Sequence, residues 1–256
     1  MIGVFDSGIG GLTVLKELIK KMPGQDYIYL GDTAHVPYGN RSADVISKLT
    51  EQAVDFLFQQ GAERVVVGCN TASAKALSML ENKYPEKIIG VIDPVTDYFS
   101  KSSYNSIGVI GTRATIGSDM YSRDINKMTP DKQVYSLATP LLVPLVEENF
   151  LSRPETESIL RGYLDVLKLK KVDALILGCT HYPMMLDLIK KSMGVDCHVP
   201  NPAVIVAEAV ATSWSLGSAG KLEGSRRYMV TDLTDNVQEI ANRFLGHDIN
   251  LEKVTL

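Results

Sequence analysis

The sequence is poor in the features that mark disulfide-stabilised, nucleic-acid-binding or membrane-spanning proteins. Only three of its 256 residues are cysteines, an odd number whose spacing gives no disulfide framework. The net charge of -4 produces no strong field that would favour nucleic acid or an anionic membrane. No apolar run approaches the roughly 18 residues that a membrane span requires. We therefore expect a cytoplasmic protein with reduced thiols, and neither nucleic acid nor a membrane as its partner.

What the sequence does contain is enough apolar material for a large core. Hydrophobic residues make up 45% of the chain, which suffices for one large core or two medium ones. The chain starts with MIGVF, without a basic segment or a cleavage site, so we expect no secretion signal. These properties are typical of a soluble enzyme.

Two of the three cysteines have nearly matching settings. Cys69 lies in VGCNT (67–71) and Cys179 in LGCTH (177–181), and each follows a short, strongly apolar run. The segment IGV likewise occurs at 2–4 and again at 107–109, and we call this repetition of short motifs between the two halves the echo. Because open α/β sheets place their chemistry at the carboxyl ends of the strands, we expect both thiols at strand ends of two related halves. Two opposed thiols suit a reaction that touches both faces of one carbon.

Apolar runs and helical patterns alternate along the chain. They predict strands at 2–5, 27–30, 64–68, 88–92, 106–110, 133–137, 173–177, 196–199 and 227–231. Between them they predict helices at 12–22, 72–83, 118–127, 154–168, 183–192, 203–216 and 235–245, a helix that Ser42 caps and that ends before Gly61, and a surface turn at 216–220. The alternation and the echo predict an α/β protein with two pseudo-symmetric, doubly wound parallel-sheet domains facing across a central cleft. We expect the first domain to comprise 1–92 and 205–256, and the second 93–204.

The thiols are the leading candidates for chemistry. A thiol acts as a base only as thiolate, its ordinary pKa is about 8.5, and a helix that begins just after it would lower that value. For any single cysteine, ordinary burial is the better interpretation, but two at matching strand ends weaken it. Cys197 has no such context and is assigned to packing.

Three further side chains have two interpretations each. Asp6, at the head of DSGIGG (6–11), suits a substrate ammonium or a neighbouring thiol, but could equally hold the turn before the first helix. His181 could set the protonation state of Cys179 or be structural. Glu147 opens a predicted helix, where it could either assist the chemistry or do no more than compensate the helix dipole. No CxxC or HxxxH completes a zinc site with Cys179 and His181, and no GxSxG indicates a serine hydrolase.

Five ordered motifs give the chain a resemblance to the glutamate racemase family. They are FDSGIGG (5–11), GDTA (31–34), PYG (37–39), CNTASA (69–74) and GCTHYP (178–183). The similarity covers nearly the whole chain and includes GTRAT (111–115), PLVE (144–147), VTD (230–232) and FLG (244–246). It implies a cofactor-independent isomerase, without a metal, that interconverts L- and D-glutamate and supplies D-glutamate for peptidoglycan. It also implies two α/β domains and a homodimer.

The resemblance also implies roles for individual residues. Cys69 and Cys179 match the two acid/base thiols, and Asp6, His181 and Glu147 match the groups that assist them. The substrate-binding positions are Asp6, Ser7, Pro37, Tyr38, Gly39, Asn70, Thr71, Thr180 and His181, with Thr112 and Thr115 as additions.

Two alternative functions stay open. The chain could be an aspartate or other amino-acid racemase of the same superfamily, although ASA at 72–74 favours glutamate. It could also be a non-catalytic amino-acid-binding protein on the same fold, but binding alone would need neither thiol.

Overall fold

The protein contains two separate parallel β-sheets. A computed structural model describes residues 1–216 and 222–256. The first sheet has the order β4-β3-β1-β2-β8-β9 and the second the order β6-β5-β7, with every pair of neighbours parallel. The strands are β1 (Ile2–Asp6), β2 (Tyr27–Gly31), β3 (Arg64–Val67), β4 (Ile88–Gly90), β5 (Ser106–Gly111), β6 (Gln133–Ala138), β7 (Ala174–Gly178), β8 (Arg226–Val230) and β9 (Leu251–Lys253).

Helices connect the strands. They are α1 (Leu12–Lys21), α2 (Ala43–Gln59), α3 (Asn70–Lys83), α4 (Asp93–Ser100), α5 (Arg113–Ile116), α6 (Met120–Met128), α7 (Leu142–Glu147), α8 (Pro154–Leu169), α9 (Leu186–Met193), α10 (Pro202–Ser213) and α11 (Asp235–Leu245). Short 3-10 helices span Thr33–His35, Tyr38–Asn40 and Tyr182–Met185. None of the helices in the described residues has the length and apolar character that a membrane crossing requires.

Most strand residues are apolar, as is typical of parallel sheets that helices cover on both faces. β1, β2 and β7 are buried at every residue. In the helices, buried residues recur every three to four positions and so form one face; in α2, for example, Ile46, Ala53 and Leu57 are buried. The side chain of Ser42 accepts a hydrogen bond from the N–H of Val45, which confirms the predicted N-cap of α2. The α/β class with two parallel sheets is therefore confirmed.

The C-terminal strands β8 and β9 return to the first sheet, where β8 lies beside β2. The echo between the halves accordingly covers β1 and β3 in one sheet and β5 and β7 in the other. The domain boundaries at 92/93 and 204/205 stay a prediction. The turn predicted at 216–220 lies, apart from Leu216, outside the described residues.

The strand predicted at 196–199 is wrong. The chain forms a turn there and meets β7 at one isolated bridge, between Ala174 and His198. Pro200 follows and has no N–H for a further ladder bond, which limits the pairing. The pattern also missed α4, α5, α7 and β9. α4 and α7 carry Pro94 and Pro144, which read as turn signals, but a proline is tolerated in the first turn of a helix.

Two predicted helices begin later than expected. The helix predicted at 118–127 begins at Met120, because Asp119 has a positive φ of 55° and separates it from α5. The helix predicted at 183–192 starts as the 3-10 turn Tyr182–Met185 before α9. Neither difference moves a predicted site residue away from its strand end.

Candidate active site

Both predicted thiols follow a strand and line the same cavity. Cys69 comes after β3 and is the N-cap of α3, and Cys179 comes directly after β7. Each cysteine is buried, with 5% of its surface exposed. The cavity has a volume of about 330 Å³, at the lower end of typical ligand pockets. The structure therefore brings together two thiols that lie far apart in the sequence and on different sheets.

Nearly all of the predicted site residues line this cavity. They are Asp6, Ser7, Pro37, Tyr38, Gly39, Cys69, Asn70, Thr71, Thr112, Glu147, Cys179, Thr180 and His181. Thr115 is buried behind the wall, where its hydroxyl lies 3.0 Å from that of Thr112 and 3.3 Å from that of Thr71. Thr115 therefore supports the wall rather than forming it. Cys197 is half-buried and does not line the cavity.

The surroundings of Cys69 are polar but carry no cation among its described contacts. The hydroxyl of Ser7 lies 3.2 Å from the sulfur, and the N–H of Ala72 donates to the sulfur at 3.5 Å. Burial, and secondly the charge of Asp6, raise the pKa of Cys69 to about 12, although the hydrogen bonds from Ser7 and Ala72 act to lower it. The expectation that the helix end would lower this pKa is wrong in its net direction, because desolvation outweighs the helix N-terminus.

Asp6 has one carboxylate oxygen engaged and one without a partner. The N–H of Gly8 donates to Oδ2 at 2.9 Å, while Oδ1 is buried and makes no hydrogen bond with the described residues. Burial raises the pKa of Asp6, and the charge of His181 and the N–H groups of Gly8 and Gly11 oppose that rise. The carboxyl group thus holds the turn before α1 and still presents an unsatisfied oxygen. Both interpretations of Asp6 have a structural basis.

The surroundings of Cys179 are charged. His181 lies with Nδ1 3.8 Å from the sulfur and with Nε2 3.0 Å from a carboxylate oxygen of Glu147. Burial lowers the pKa of His181, but its contacts with Cys179 and Glu147 outweigh this and raise the pKa to about 10. Glu147 is the last residue of α7, so the prediction that it opens a helix is wrong. Its carboxylate pairs with an imidazole and does not compensate a helix N-terminus.

The loop at 7–11 lies very close to the segment after Cys179. A Cβ added to Gly10 would collide with the side chains of Thr180 and His181. The hydroxyl of Thr13 donates to the carbonyl oxygens of Gly10 (2.9 Å) and Thr180 (2.8 Å). Gly10 is therefore required for this approach, which joins the β1 side of the cavity to the β7 side.

Hydroxyl groups also connect the two sides at the other end of the cavity. Thr71, at the start of α3, lies 3.0 Å from the hydroxyl of Thr112, which caps α5. The hydroxyl of Tyr121 donates to the amide oxygen of Asn70 at 2.6 Å and fixes the orientation of that side chain. The phenol of Tyr38 donates to Asp32 at 2.6 Å, which leaves its backbone and that of Gly39 as the nearer donors for a ligand.

Sequence reasoning missed several lining residues, notably Arg113, Thr139 and Val143. Thr139 follows β6 just as the cysteines follow β3 and β7, so the strand-end rule would have found it. Arg113 stands inside GTRAT and is exposed at the cavity wall. Across residues 1–216 and 222–256, no cluster of three or more His, Cys, Asp or Glu side chains could hold a metal ion.

Comparison with known proteins defines the class to which this fold and cavity belong. The sequence matches the Asp/Glu/Hydantoin racemase family over residues 3–209, which is most of the chain. The protein is an amino-acid racemase, and the chain belongs to this family.

Within that family, several of the most similar proteins are glutamate racemases. The glutamate racemase of Persephonella marina is 40% identical over all of this chain and 97% of its own length. A glutamate racemase isoform from Bacillus anthracis superposes with a TM-score of 0.95 at 35% identity, over 100% of this chain and 97% of the other. The Francisella tularensis glutamate racemase, solved in complex with D-glutamate, superposes with a TM-score of 0.91 at 35% identity, over 99% and 97%.

Proposed function

We propose that this chain interconverts L- and D-glutamate, with Cys69 and Cys179 as the two acid/base groups and without a cofactor. The observation that carries this proposal is the pair of buried thiols that line one small cavity from two different sheets. The similarity to glutamate racemases over the full length of the chain supports glutamate as the substrate.

Racemisation needs one proton removed from one face of the α-carbon and another delivered to the opposite face. One thiolate takes the α-proton, and the electron pair of the broken C–H bond is held as a carbanion conjugated with the α-carboxylate. The opposite thiol then donates its proton to the other face of the carbon. Each thiol ends in the protonation state from which the other began, so the reverse reaction uses the same two groups.

The raised pKa of Cys69 fits this chemistry. A thiolate whose conjugate acid is weak is a strong base, which helps against a weakly acidic α-proton. On the other side, His181 with its raised pKa would be protonated at neutral pH, so that its Nδ1–H faces the sulfur of Cys179. The enzyme would thus obtain its two bases by different electrostatic means.

The substrate's charged groups match the polar groups of the wall. The unpaired Oδ1 of Asp6 can accept a hydrogen bond from the ammonium group of the substrate. The N-terminus of α3 supplies N–H groups for a carboxylate. The hydroxyls of Thr71 and Thr112 are close by. For the γ-carboxylate we assign the backbone donors at 38–39 and 180–181 and the nearby guanidinium of Arg113.

A site built for two carboxylates at the spacing of glutamate leaves donors unpaired when aspartate, which is one methylene shorter, is bound. Each unpaired buried group costs about 1–3 kcal/mol. We therefore expect kcat/KM to favour glutamate over aspartate by roughly 10–100-fold or more. Equal or faster turnover of aspartate would support an aspartate racemase instead.

Chiral chromatography is the experiment that tests the function. Purified protein incubated with L-glutamate, and separately with D-glutamate, should give the same mixture of both without added pyridoxal phosphate or metal. The matched control is the Cys69→Ala/Cys179→Ala double variant, which should leave each enantiomer unchanged. Activity that is lost on dialysis against a chelator and restored only by metal would contradict the cofactor-free proposal, and binding without turnover would support the amino-acid-binding alternative.

We further propose that the D-glutamate serves peptidoglycan synthesis and that the enzyme works in the cytoplasm as a homodimer. The mechanism supports the compartment, because both thiols must stay reduced. The family resemblance supports the dimer, and light scattering on the purified protein tests it: a monomeric mass at micromolar concentration would reject the dimer.

A further inference from the structure

Helix α11 follows a strand of the first sheet, yet its last turn contacts the residues that surround Cys179. Arg243 donates through Nη2 to the carbonyl oxygens of Val146 (3.2 Å) and Glu147 (2.8 Å) at the end of α7. We propose that Arg243 is a positioning residue that holds Glu147 against His181 and so fixes the imidazole beside Cys179. This inference rests on the proposed function, in which Cys179 is one of the two bases.

The end of α7 explains why an arginine is needed there. Asn149 has a positive φ of 57°, and the N–H groups of Asn149 and Phe150 donate to the carbonyls of Val146 (3.1 Å) and Leu145 (2.9 Å). This is a Schellman motif, which satisfies the carbonyls of Val146 and Leu145 but not that of Glu147. The guanidinium of Arg243 supplies the missing donor. It therefore holds the backbone of the residue whose carboxylate must reach His181.

From Glu147 the contacts run in one line to the thiol. The carboxylate of Glu147 meets Nε2 of His181, and Nδ1 of the same ring faces the sulfur of Cys179. Phe244, the neighbour of Arg243, packs edge-on against the imidazole, with ring centroids 5.4 Å apart and an interplanar angle of 82°. Two consecutive residues of α11 therefore fix His181, one through Glu147 and one directly.

Arg243 supports the surroundings of Cys179 but not those of Cys69. The described contacts of Cys69 come from Ser7, Ala72 and Asp6, and none of these is held by an arginine. Loss of Arg243 should therefore impair proton transfer at Cys179 and spare proton transfer at Cys69. A general loss of stability would impair both equally, so the split separates positioning from mere structural support.

A single-base reaction can measure the two sides separately. With 3-chloroglutamate, a thiolate takes the α-proton, the C–H electrons form the Cα=Cβ bond, and chloride leaves with its bonding pair. The resulting enamine hydrolyses to a 2-oxo acid and ammonia. In the Cys69→Ala variant only Cys179 remains, so the α-configuration that this variant eliminates identifies the face served by Cys179; Cys179→Ala identifies the other.

Arg243→Met keeps an apolar stem and removes the donors. We expect chloride release from the enantiomer served by Cys179 to fall about tenfold in kcat, because the base is misplaced. Release from the enantiomer served by Cys69 should change less than about twofold. Arg243→Lys, which can donate to one carbonyl, should restore part of the loss. Arg227→Met is the matched control, because Arg227 pairs with Glu252 outside the cavity, and it should leave both rates unchanged.

A readout without turnover keeps the inference independent of the proposed substrate. In protein with labelled histidine, the Nε2–H proton of His181 should give a protected NMR resonance in the native protein and in Arg227→Met. In Arg243→Met it should broaden or disappear. A resonance that persists unchanged, or equal losses for both chloroglutamate enantiomers, would overturn the positioning role even if glutamate is racemised. If the resonance is lost but native protein does not racemise glutamate, the proposed function fails and the positioning role stands.

Discussion

The two thiols share a backbone setting but not an electrostatic one. Each follows a buried parallel strand and precedes a helical turn, as the echo in the sequence predicts. Cys69, however, lies between a serine hydroxyl and a buried carboxyl group, whereas Cys179 faces an imidazole paired with a glutamate. The pseudo-symmetry of the fold therefore places two thiols at equivalent positions without giving them equivalent surroundings.

This difference suits a reaction that runs in both directions. The charge of one thiolate disfavours ionisation of a second thiol nearby, so one thiolate and one thiol can coexist. The loop at 7–11 brings the two settings into contact, since Gly10 lies against His181, and the charge of His181 acts to lower the pKa of Asp6. Changes on either side should therefore have effects that depend on which thiol they serve.

The largest effect should come from removing either thiol. Cys69→Ala and Cys179→Ala should each lower racemisation at least about 10³-fold in both directions, because each base serves one face only. Polarimetry with each enantiomer of glutamate measures the loss. Cys197→Ala is the matched control and should keep the native rate. Near-native racemisation by either of the first two variants would show that the halves are not both required.

A smaller but still large effect should come from the contact between the halves. In Gly10→Ala the added methyl group collides with Thr180 and His181, so the imidazole must move away from Cys179. A displacement of about 1 Å at a catalytic group lowers kcat by about 10²-fold.

Gly162→Ala is the matched control for this substitution, because Gly162 lies on α8 with no atom within 4 Å of an added Cβ. It should leave kcat unchanged. Native activity in Gly10→Ala, with circular dichroism showing an intact fold in both variants, would contradict the close approach described above.

Much of this fold could be predicted from the sequence, and the reasons are physical. Apolar runs such as 65–67 and 174–177 are unambiguous because both faces of these parallel strands are buried. The rule that chemistry lies at the carboxyl ends of strands was enough to bring Cys69 and Cys179 together. Helices α4 and α7 were missed because a proline inside a short apolar segment looks the same in a first helical turn and in a loop.

The electrostatics of the site could not be predicted in the same way. The pKa of Cys69 depends on how deeply the sulfur is buried and on the distance to Asp6, and both are set by packing of distant segments. The contact of Arg243 with Glu147 joins residues far apart in the sequence, and no local pattern encodes it. Local rules therefore locate the two thiols, while tertiary contacts determine the electrostatic surroundings of each.

A moderate effect should come from removing the charge of Asp6, and the alkylation rate of Cys69 measures it without turnover. Because Asp6 raises the pKa of Cys69, Asp6→Asn should increase the thiolate fraction at that site. In a Cys179→Ala/Cys197→Ala background, iodoacetamide should modify Cys69 roughly tenfold faster at pH 8 for each unit by which Asp6→Asn lowers the pKa of Cys69. Without Asp6→Asn, the rate should still rise with pH at pH 10. A plateau below pH 9 would contradict the raised pKa of Cys69.

The smallest effect should concern stability on the Cys179 side. The folded-state pKa of His181 is raised to about 10 from an ordinary 6.5, so its protonated form stabilises the folded protein. This contribution is fully present below pH 6.5 and is lost as the pH rises towards 10. The difference in urea unfolding free energy between native protein and His181→Gln should therefore be largest at pH 6, on the order of 1 kcal/mol, and shrink towards pH 10. A difference that grows with pH would contradict the assignment.

The central claim, that one thiol serves each face of the α-carbon, is tested most directly by early product analysis in deuterated water. L-Glutamate is converted to a few per cent in D₂O, and the α-deuterium content of both enantiomers is measured after chiral separation. Two bases predict D-glutamate that is fully α-deuterated, because the second thiol carries a solvent deuteron, and remaining L-glutamate without label. Deuterium in the remaining L-glutamate, or α-protium carried over into D-glutamate, would show that a single base serves both faces and would contradict the account.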